Sequence, residues 1–167
     1  MLPDKIRGYR VQRADVVVAV RTPNEPRPPG KYDLLVTVDP PEAITVGITG
    51  SRVDVTGEIE SLRHEGDIDF VMFRDFTVNE LPVEISEYAT KFRLAKQRPF
   101  KLTKPLTVKI GSLTMVKAAA TDVLRGTPRL QVNGTLLVFG RFKRFGFGFK
   151  RVIPVTLAFS IENTLFD

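Results

Sequence analysis

The stretch FGFKRVIPVTLAFSI, residues 147–161, decides the fold that the sequence predicts. Apolar side chains recur at nearly every second position, and this period is typical of a strand with one buried face. The same pattern recurs over 130–138, 53–59 and 68–76, and turn-forming pairs such as Gly50-Ser51 and Glu65-Gly66 separate the runs. Such one-sided strands predict two antiparallel sheets packed face to face with wet outer faces.

The alternation of apolar and polar residues also predicts which side chains share one face of a strand. In 66–76, the residues Ile68, Phe70, Met72 and Phe76 are expected to share one apolar face. Further strands are expected over 14–20, 32–38 and 44–48. The Pro-rich loop 22–30 interrupts the sheet, because proline has no N–H to donate.

One stretch departs from the strand pattern. The apolar residues of 113–125 recur at helical spacing around Ala118-Ala119-Ala120. The sequence therefore predicts an all-β, immunoglobulin- or fibronectin-like β-sandwich of antiparallel strands with one short helix near 113–125. Its length suits a single domain, 1–167, with residues 1–50 as an N-terminal β extension or a separate lobe.

Residue counts narrow the kinds of site that the chain can build. There is no cysteine and a single histidine, His64, which excludes thiolate metal sites and a zinc site built on several imidazoles. His64 lies in the predicted turn 63–66 without a nucleophile or an orienting group nearby, so no catalytic residue is expected. A glycosidase on a β-sandwich stays open as an alternative, because it needs only two acids across a cleft. Otherwise the sequence predicts neither an enzyme nor a cofactor.

Charge is divided unevenly along the chain. Residues 1–90 carry 10 Lys/Arg and 16 Asp/Glu, a net charge of −6, whereas residues 91–167 carry 15 and 3, a net charge of +12. Such asymmetry suggests an anionic partner or self-association, although neighbouring acidic and basic strands can also neutralise each other. Most of one acidic cluster is expected on a wet face, and it lacks the spacing of a Ca²⁺ loop, so no metal site is expected. Its members are Glu58, Glu60, Glu65, Asp67 and Asp69.

The predicted hairpin over 141–151 combines cations with phenylalanines. Such patches bind anionic lipid headgroups, with the aromatic rings in the interface, or single-stranded nucleic acid through charge and stacking. A purely structural alternative turns the phenylalanines toward the core and the cations toward water. No helix is expected after Gly146 and Gly148, so this is not a nucleotide loop. The candidate ligand-binding residues are Arg141, Lys143, Arg144, Phe145, Phe147, Lys150 and Arg151.

Several short motifs occur in a familiar order. A strand with Phe70, Phe73 and Phe76 leads into Asn79-Glu80-Leu81-Pro82, and Val132-Asn133-Gly134-Thr135-Leu136 and Val152-Ile153-Pro154-Val155 follow. Over about residues 51–161 this order resembles the late-embryogenesis-abundant group 2 proteins, also called the water-stress and hypersensitive-response (WHy) domain. That family typically shows Asn-Pro where this chain has Asn79 three residues before Pro82. The resemblance implies a sandwich core over 51–167, no enzyme activity and a role in stress or desiccation protection, and some family members look lipid-associated.

Together these features predict a non-catalytic stress-protective or interaction module. The alternative is a basic platform that binds anionic lipid or nucleic acid through the 141–151 hairpin, with nucleic acid the less favoured partner.

A monomer or a weak homo-oligomer is expected. A soluble, cytoplasmic chain is also expected, because no apolar run approaches the roughly 20 residues that cross a bilayer. The first seven residues do not form a secretory signal, although an anchor trimmed from the chain would leave no trace.

Overall fold

In a computed structural model of the chain, strands follow the predicted runs. The structure describes residues 2–21, 28–41, 44–47, 50–110, 126–144 and 147–163, and in these ranges every regular element is a strand. The all-β prediction is therefore confirmed, while the helix predicted near 113–125 lies outside the described residues. Within the same ranges, no helix has the length and apolarity needed to cross a membrane. The strands are β1 (Lys5–Ile6), β2 (Tyr9–Val11), β3 (Val16–Val20), β4 (Leu34–Val38), β5 (Ile44–Gly47), β6 (Gly50–Val55), β7 (Gly57–Ser61), β8 (Gly66–Val78), β9 (Leu81–Ile85), β10 (Phe92–Leu94), β11 (Phe100–Lys101), β12 (Leu106–Ile110), β13 (Arg129–Arg144) and β14 (Phe147–Glu162).

The longest pairing is the hairpin of β13 and β14. The two strands pair antiparallel from Arg129 opposite Glu162 to Arg144 opposite Phe147, so the hairpin spans the two runs that the sequence predicts. The hairpin occupies the middle of a large sheet with the order β1-β2-β14-β13-β8-β9-β12-β6-β5, and β10 pairs with β8 beside this path. A second sheet has the order β11-β7-β4-β3.

Two strand pairs are parallel, so the prediction of antiparallel strands is wrong there. β3 runs parallel to β4, from Val16 opposite Leu34 to Val20 opposite Val38, and β2 runs parallel to the middle of β14. Parallel neighbours need a connection of about a dozen residues or more. The Pro-rich loop supplies that length, since residues 21–33 separate β3 from β4. Residues 1–50 thus contribute strands to both sheets.

The two sheets face each other across one apolar core. Leu34 and Ile59 of the second sheet belong to the same buried cluster as Leu136 and Val155 of the hairpin. A smaller cluster lies where the large sheet reaches β6 and β12. Each fully buried side chain of this kind contributes about 1.5–3 kcal/mol to the free energy of unfolding.

The middle of the large sheet is also buried on its second face. Leu137, Phe139 and Val152 are fully buried there, and residues of the short N-terminal strands cover them. The Phe139 ring stacks on Phe70 with centroids 4.4 Å apart and meets the edge of Tyr9 at 5.2 Å. The outer face of the large sheet is therefore open to water, as predicted, only where β1 and β2 do not cover it.

Two bulges change which residues of β8 share a face. Its register with β13 shifts between Phe139 and Gly140, and again between Asn133 and Thr135. Each shift reverses the alternation, so Phe70 and Met72 pack on the N-terminal face while Ile68 and Phe76 stay in the main core. The single shared face predicted for these four residues is therefore wrong.

Glycine permits the close approach at both bulges. A Cβ at Gly134 would lie 2.5 Å from the Phe76 ring, and a Cβ at Gly140 would lie 2.7 Å from the Asp67 carbonyl oxygen. Both distances are far below van der Waals contact, so a larger residue would force the strands apart. The mid-strand glycines are the sequence signal for these bulges.

Asn79, part of the family-like motif, ties the β8–β9 turn to the start of β13. It has a φ of 48°, a left-handed conformation that asparagine tolerates better than most residues. Its Oδ1 accepts a hydrogen bond from the backbone N–H of Gln131 at 2.8 Å, and its Nδ2 donates one to Thr127 at 3.0 Å. The residue therefore has a structural role in this chain.

Candidate anionic-surface site at the tip of the β13–β14 hairpin

The hairpin reaches beyond the strand that supports it. Pairing with β8 ends at Phe142 opposite Gly66, and one further backbone hydrogen bond joins the Lys143 N–H to the Glu65 carbonyl at 2.9 Å. On the other side, β2 pairs only with Arg151 and Val152. We call residues 141–151 the hairpin tip. Its end projects from the sheet because, among the described residues, no strand continues beside it.

Two phenylalanines of the hairpin tip face solvent. Phe147 is 70% exposed and Phe149 is 40% exposed, whereas Phe142, which lies directly opposite Phe149, is 6% exposed. Phe142 lies over the core, and the same face becomes open once the hairpin passes the end of β8. The structural alternative, with every phenylalanine turned inward, is therefore right for Phe142 and wrong for Phe147 and Phe149. Phe145 lies outside the described residues, as does the side chain of Arg144.

Cations lie on both faces of the hairpin tip: Arg151 shares the face of Phe147 and Phe149, whereas Arg141, Lys143 and Lys150 project from the opposite face. Arg141, Lys143 and Lys150 are exposed, and Arg151 is half-buried with its guanidinium carbon 5.3 Å from the centre of the Phe149 ring. Within the described part of the chain, none of these four side chains forms an ion pair with an acid. Four of the predicted binding cations are thus available to a ligand.

Like charges lie directly opposite one another in this sheet. Arg141 pairs with Lys150 across the hairpin, and Arg151 pairs with Arg10 of β2. Like charges in these positions destabilise a sheet. Arg141 also lies opposite Asp67 of β8, which offsets part of this cost, so positive charge predominates at the hairpin tip without being fully compensated.

The N-terminal strands support the hairpin from behind. The Tyr9 hydroxyl donates a 2.6 Å hydrogen bond to the Asp69 carboxylate, and the Lys150 Nζ lies 5.7 Å from the centre of the Tyr9 ring. The hydrogen bond to Asp69, followed by burial and by the negative charge of Asp69, raises the pKa of Tyr9, while Arg141 partly offsets this. Tyr9 therefore links the base of the hairpin tip to β8.

We expect a Tyr9→Phe variant to lose about 1–2 kcal/mol in the free energy of unfolding, because Asp69 loses its donor. The folded-state pKa lies above the unfolded value of 10.0, so this contribution is complete below that pH and is lost as pH rises through the folded pKa. Urea unfolding of both proteins from neutral pH to above pH 10 measures the difference. A difference that stays constant across this range would contradict the assigned role of the hydroxyl.

The acidic cluster does not form the wet face that the sequence predicts. Glu60 is buried in the middle of the second sheet, Glu58 is paired with Arg21 at 2.9 Å, and Asp69 accepts from Tyr9. The bulge in β8 and the central position of β7 separate these acids. Among the described residues, no group of three or more metal-binding side chains comes together.

His64 lies in the turn that the sequence predicts for it. The backbone of His64 and the Ser61 hydroxyl hydrogen-bond each other in both directions, which closes the turn between β7 and β8. Ser61 itself is fully buried. This local arrangement gives the two residues a structural role.

Sequence reasoning missed two features that bear on function. One is the extent to which Phe147 and Phe149 leave the core, since alternation cannot show where a supporting strand ends. The other is a cavity between the two sheets, which no local sequence pattern encodes.

No protein-family model matches the chain, and comparisons with curated proteins and with solved structures also find no match.

Proposed function

We propose that this protein is a non-catalytic module that binds anionic membrane surfaces through the hairpin tip. One observation carries the proposal: two exposed phenylalanines project from the sheet on a hairpin tip that also carries four cations, none of which forms an ion pair in the described structure. Exposed aromatic residues enter the lipid interface, and each nearby Lys or Arg adds about 1 kcal/mol on an anionic surface.

The shape of the tip favours a membrane over a nucleic acid. Proteins that bind single strands combine a basic groove with aromatic platforms on which successive bases stack. Here Phe147 and Phe149 lie at the projecting end of a hairpin rather than along a groove, so they can enter a lipid surface together. We place the module at the cytoplasmic leaflet, where anionic lipids give a negative surface potential.

The resemblance to the WHy domain supports a related proposal. We infer an immunoglobulin- or fibronectin-like sandwich core and a stress-protective role, in which attachment to membranes is the protective contact. The two facing sheets and the mid-strand glycine of β13 are compatible with that family's architecture. The role in stress protection stays a prediction.

Vesicle co-sedimentation tests the membrane proposal. We expect the wild type to bind vesicles of phosphatidylcholine with phosphatidylserine, more weakly as salt rises, and to bind pure phosphatidylcholine far less. A variant with Phe147→Ser and Phe149→Ser is expected to lose about 2 kcal/mol of binding, roughly thirtyfold, because two partly exposed rings no longer enter the interface.

A matched control uses the remaining large apolar side chain that is exposed among the described residues. Leu2 is 37% exposed and lies outside the hairpin tip, so Leu2→Ser is expected to leave vesicle binding unchanged. Equal binding of the phenylalanine variant and the wild type would overturn the proposal. Binding to a single-stranded oligonucleotide without binding to vesicles would reassign the tip to nucleic acid.

A further inference from the structure

The two sheets do not fill the space between them. A cavity of about 150 Å³ lies between β4 and β7 of the second sheet and the facing strands of the large sheet. Its walls are almost wholly apolar, and wall residues such as Val83, Ile85, Val132 and Phe159 remain only half-buried. Protein interiors normally pack as densely as organic crystals, so apolar surface left accessible between two sheets marks room for another group.

The size of the cavity limits what it can hold. An apolar cavity of about 150 Å³ stays dry and takes up benzene, which has six carbons. The space therefore suits about six carbons of a chain rather than a complete lipid. None of the described tip residues lines it, so its occupancy does not depend on the hairpin tip.

A charged cluster lies on the outer face of the second sheet, because Glu58 alternates with Ile59, which faces the core. Arg21, whose side chain is 46% exposed, pairs there with Asp39 at 2.5 Å and with Glu58 at 2.9 Å. The Thr56 hydroxyl donates to the second oxygen of Asp39 at 2.9 Å. Lys101 lies directly opposite Glu58 on this face, so the cluster is balanced in charge and the accessible lining of the cavity stays apolar.

We propose that the cavity binds the uncharged alkyl chain of a small molecule, with room for about six carbons. An ionised group is disfavoured in this space, because the apolar lining does not replace the water that the group would lose. The alkyl chain then occupies the space bounded by Val132 and Phe159. This binding takes place in solution and is separate from attachment to a membrane.

A series of 1-alkanols, measured by isothermal titration calorimetry, tests the proposal. The association constant is expected to rise about fourfold for each added CH₂ and to level off near six carbons, when the cavity is full. Hexanoate is expected to bind at least about tenfold more weakly than 1-hexanol, because an ionised carboxylate loses its water on entering an apolar cavity. Affinity without dependence on chain length, or hexanoate bound as tightly as hexanol, would overturn the proposal.

Two variants assign the binding to the cavity. Val132→Phe fills it and is expected to abolish alkanol binding, and Val55→Leu, a smaller change, is expected to shift the plateau to a chain about one carbon shorter. Val11→Phe adds the same bulk as Val132→Phe on the opposite face of the large sheet and serves as the control. Folded cavity variants that bind alkanols like the wild type would refute the site. Their vesicle binding is expected to be unchanged, so a failure here is distinguishable from a failure of the hairpin tip.

Discussion

Replacing Phe139 with alanine is expected to lower the free energy of unfolding by about 3–5 kcal/mol, as is typical when a large buried aromatic is removed. The side chain is fully buried between the hairpin and the N-terminal strands. Its loss removes the stacking partner of Phe70 and the ring against which Tyr9 packs, and the gap cannot close because β13 is held on both sides. Urea denaturation measures the effect.

Phe149→Ala is the matched control, since it makes the same chemical change in the same hairpin. Phe149 is exposed, so the expected loss of stability is about 0.5 kcal/mol or less. The two substitutions should also differ in function: Phe149→Ala weakens vesicle binding without affecting stability, and Phe139→Ala does the reverse while the protein remains folded. Similar losses of stability in both variants would contradict the assignment of one ring to the core and the other to solvent.

Changing the four described cations of the hairpin tip to serine is expected to weaken binding to anionic vesicles by about 4 kcal/mol at low salt, close to a thousandfold. The variant carries Arg141→Ser, Lys143→Ser, Lys150→Ser and Arg151→Ser. The stability of the fold should change by less than about 1 kcal/mol, because the change removes both like charges that lie opposite each other and the favourable Arg141–Asp67 pair. Co-sedimentation across a salt series gives the affinity, and thermal unfolding gives the stability.

A second quadruple variant separates local charge from net charge. Arg52, Arg74, Lys101 and Lys104 are exposed cations outside the hairpin tip, and changing them to serine alters the net charge by the same amount. These charges lie away from the proposed contact, so salt screens them and vesicle binding should fall far less than in the tip variant. Equal losses in the two variants would show that attraction follows overall charge and would remove the hairpin tip as the binding surface.

Much of this architecture could be predicted because its signals are local. The period of two over 147–161, the turn at Gly146 and the paired run over 130–138 predict the central hairpin to within a few residues. The pattern of cations and phenylalanines likewise marks the hairpin tip as a candidate site. The bulges were signalled only by Gly134 and Gly140, so the reversal of faces in β8 escaped a prediction from simple alternation.

By itself, the sequence determined the all-β class, the central hairpin and the clustering of cations along its tip, because each depends on neighbours along the chain. Only the tertiary structure decided that β2 pairs parallel with β14, that Phe139 is buried while Phe149 is exposed, and that a cavity remains between the sheets. These outcomes depend on where other strands end and on how closely two sheets approach. The periodicity of a strand predicts neither the ends of its neighbours nor the distance between two sheets, because the same alternating pattern occurs on a covered face and on an open one.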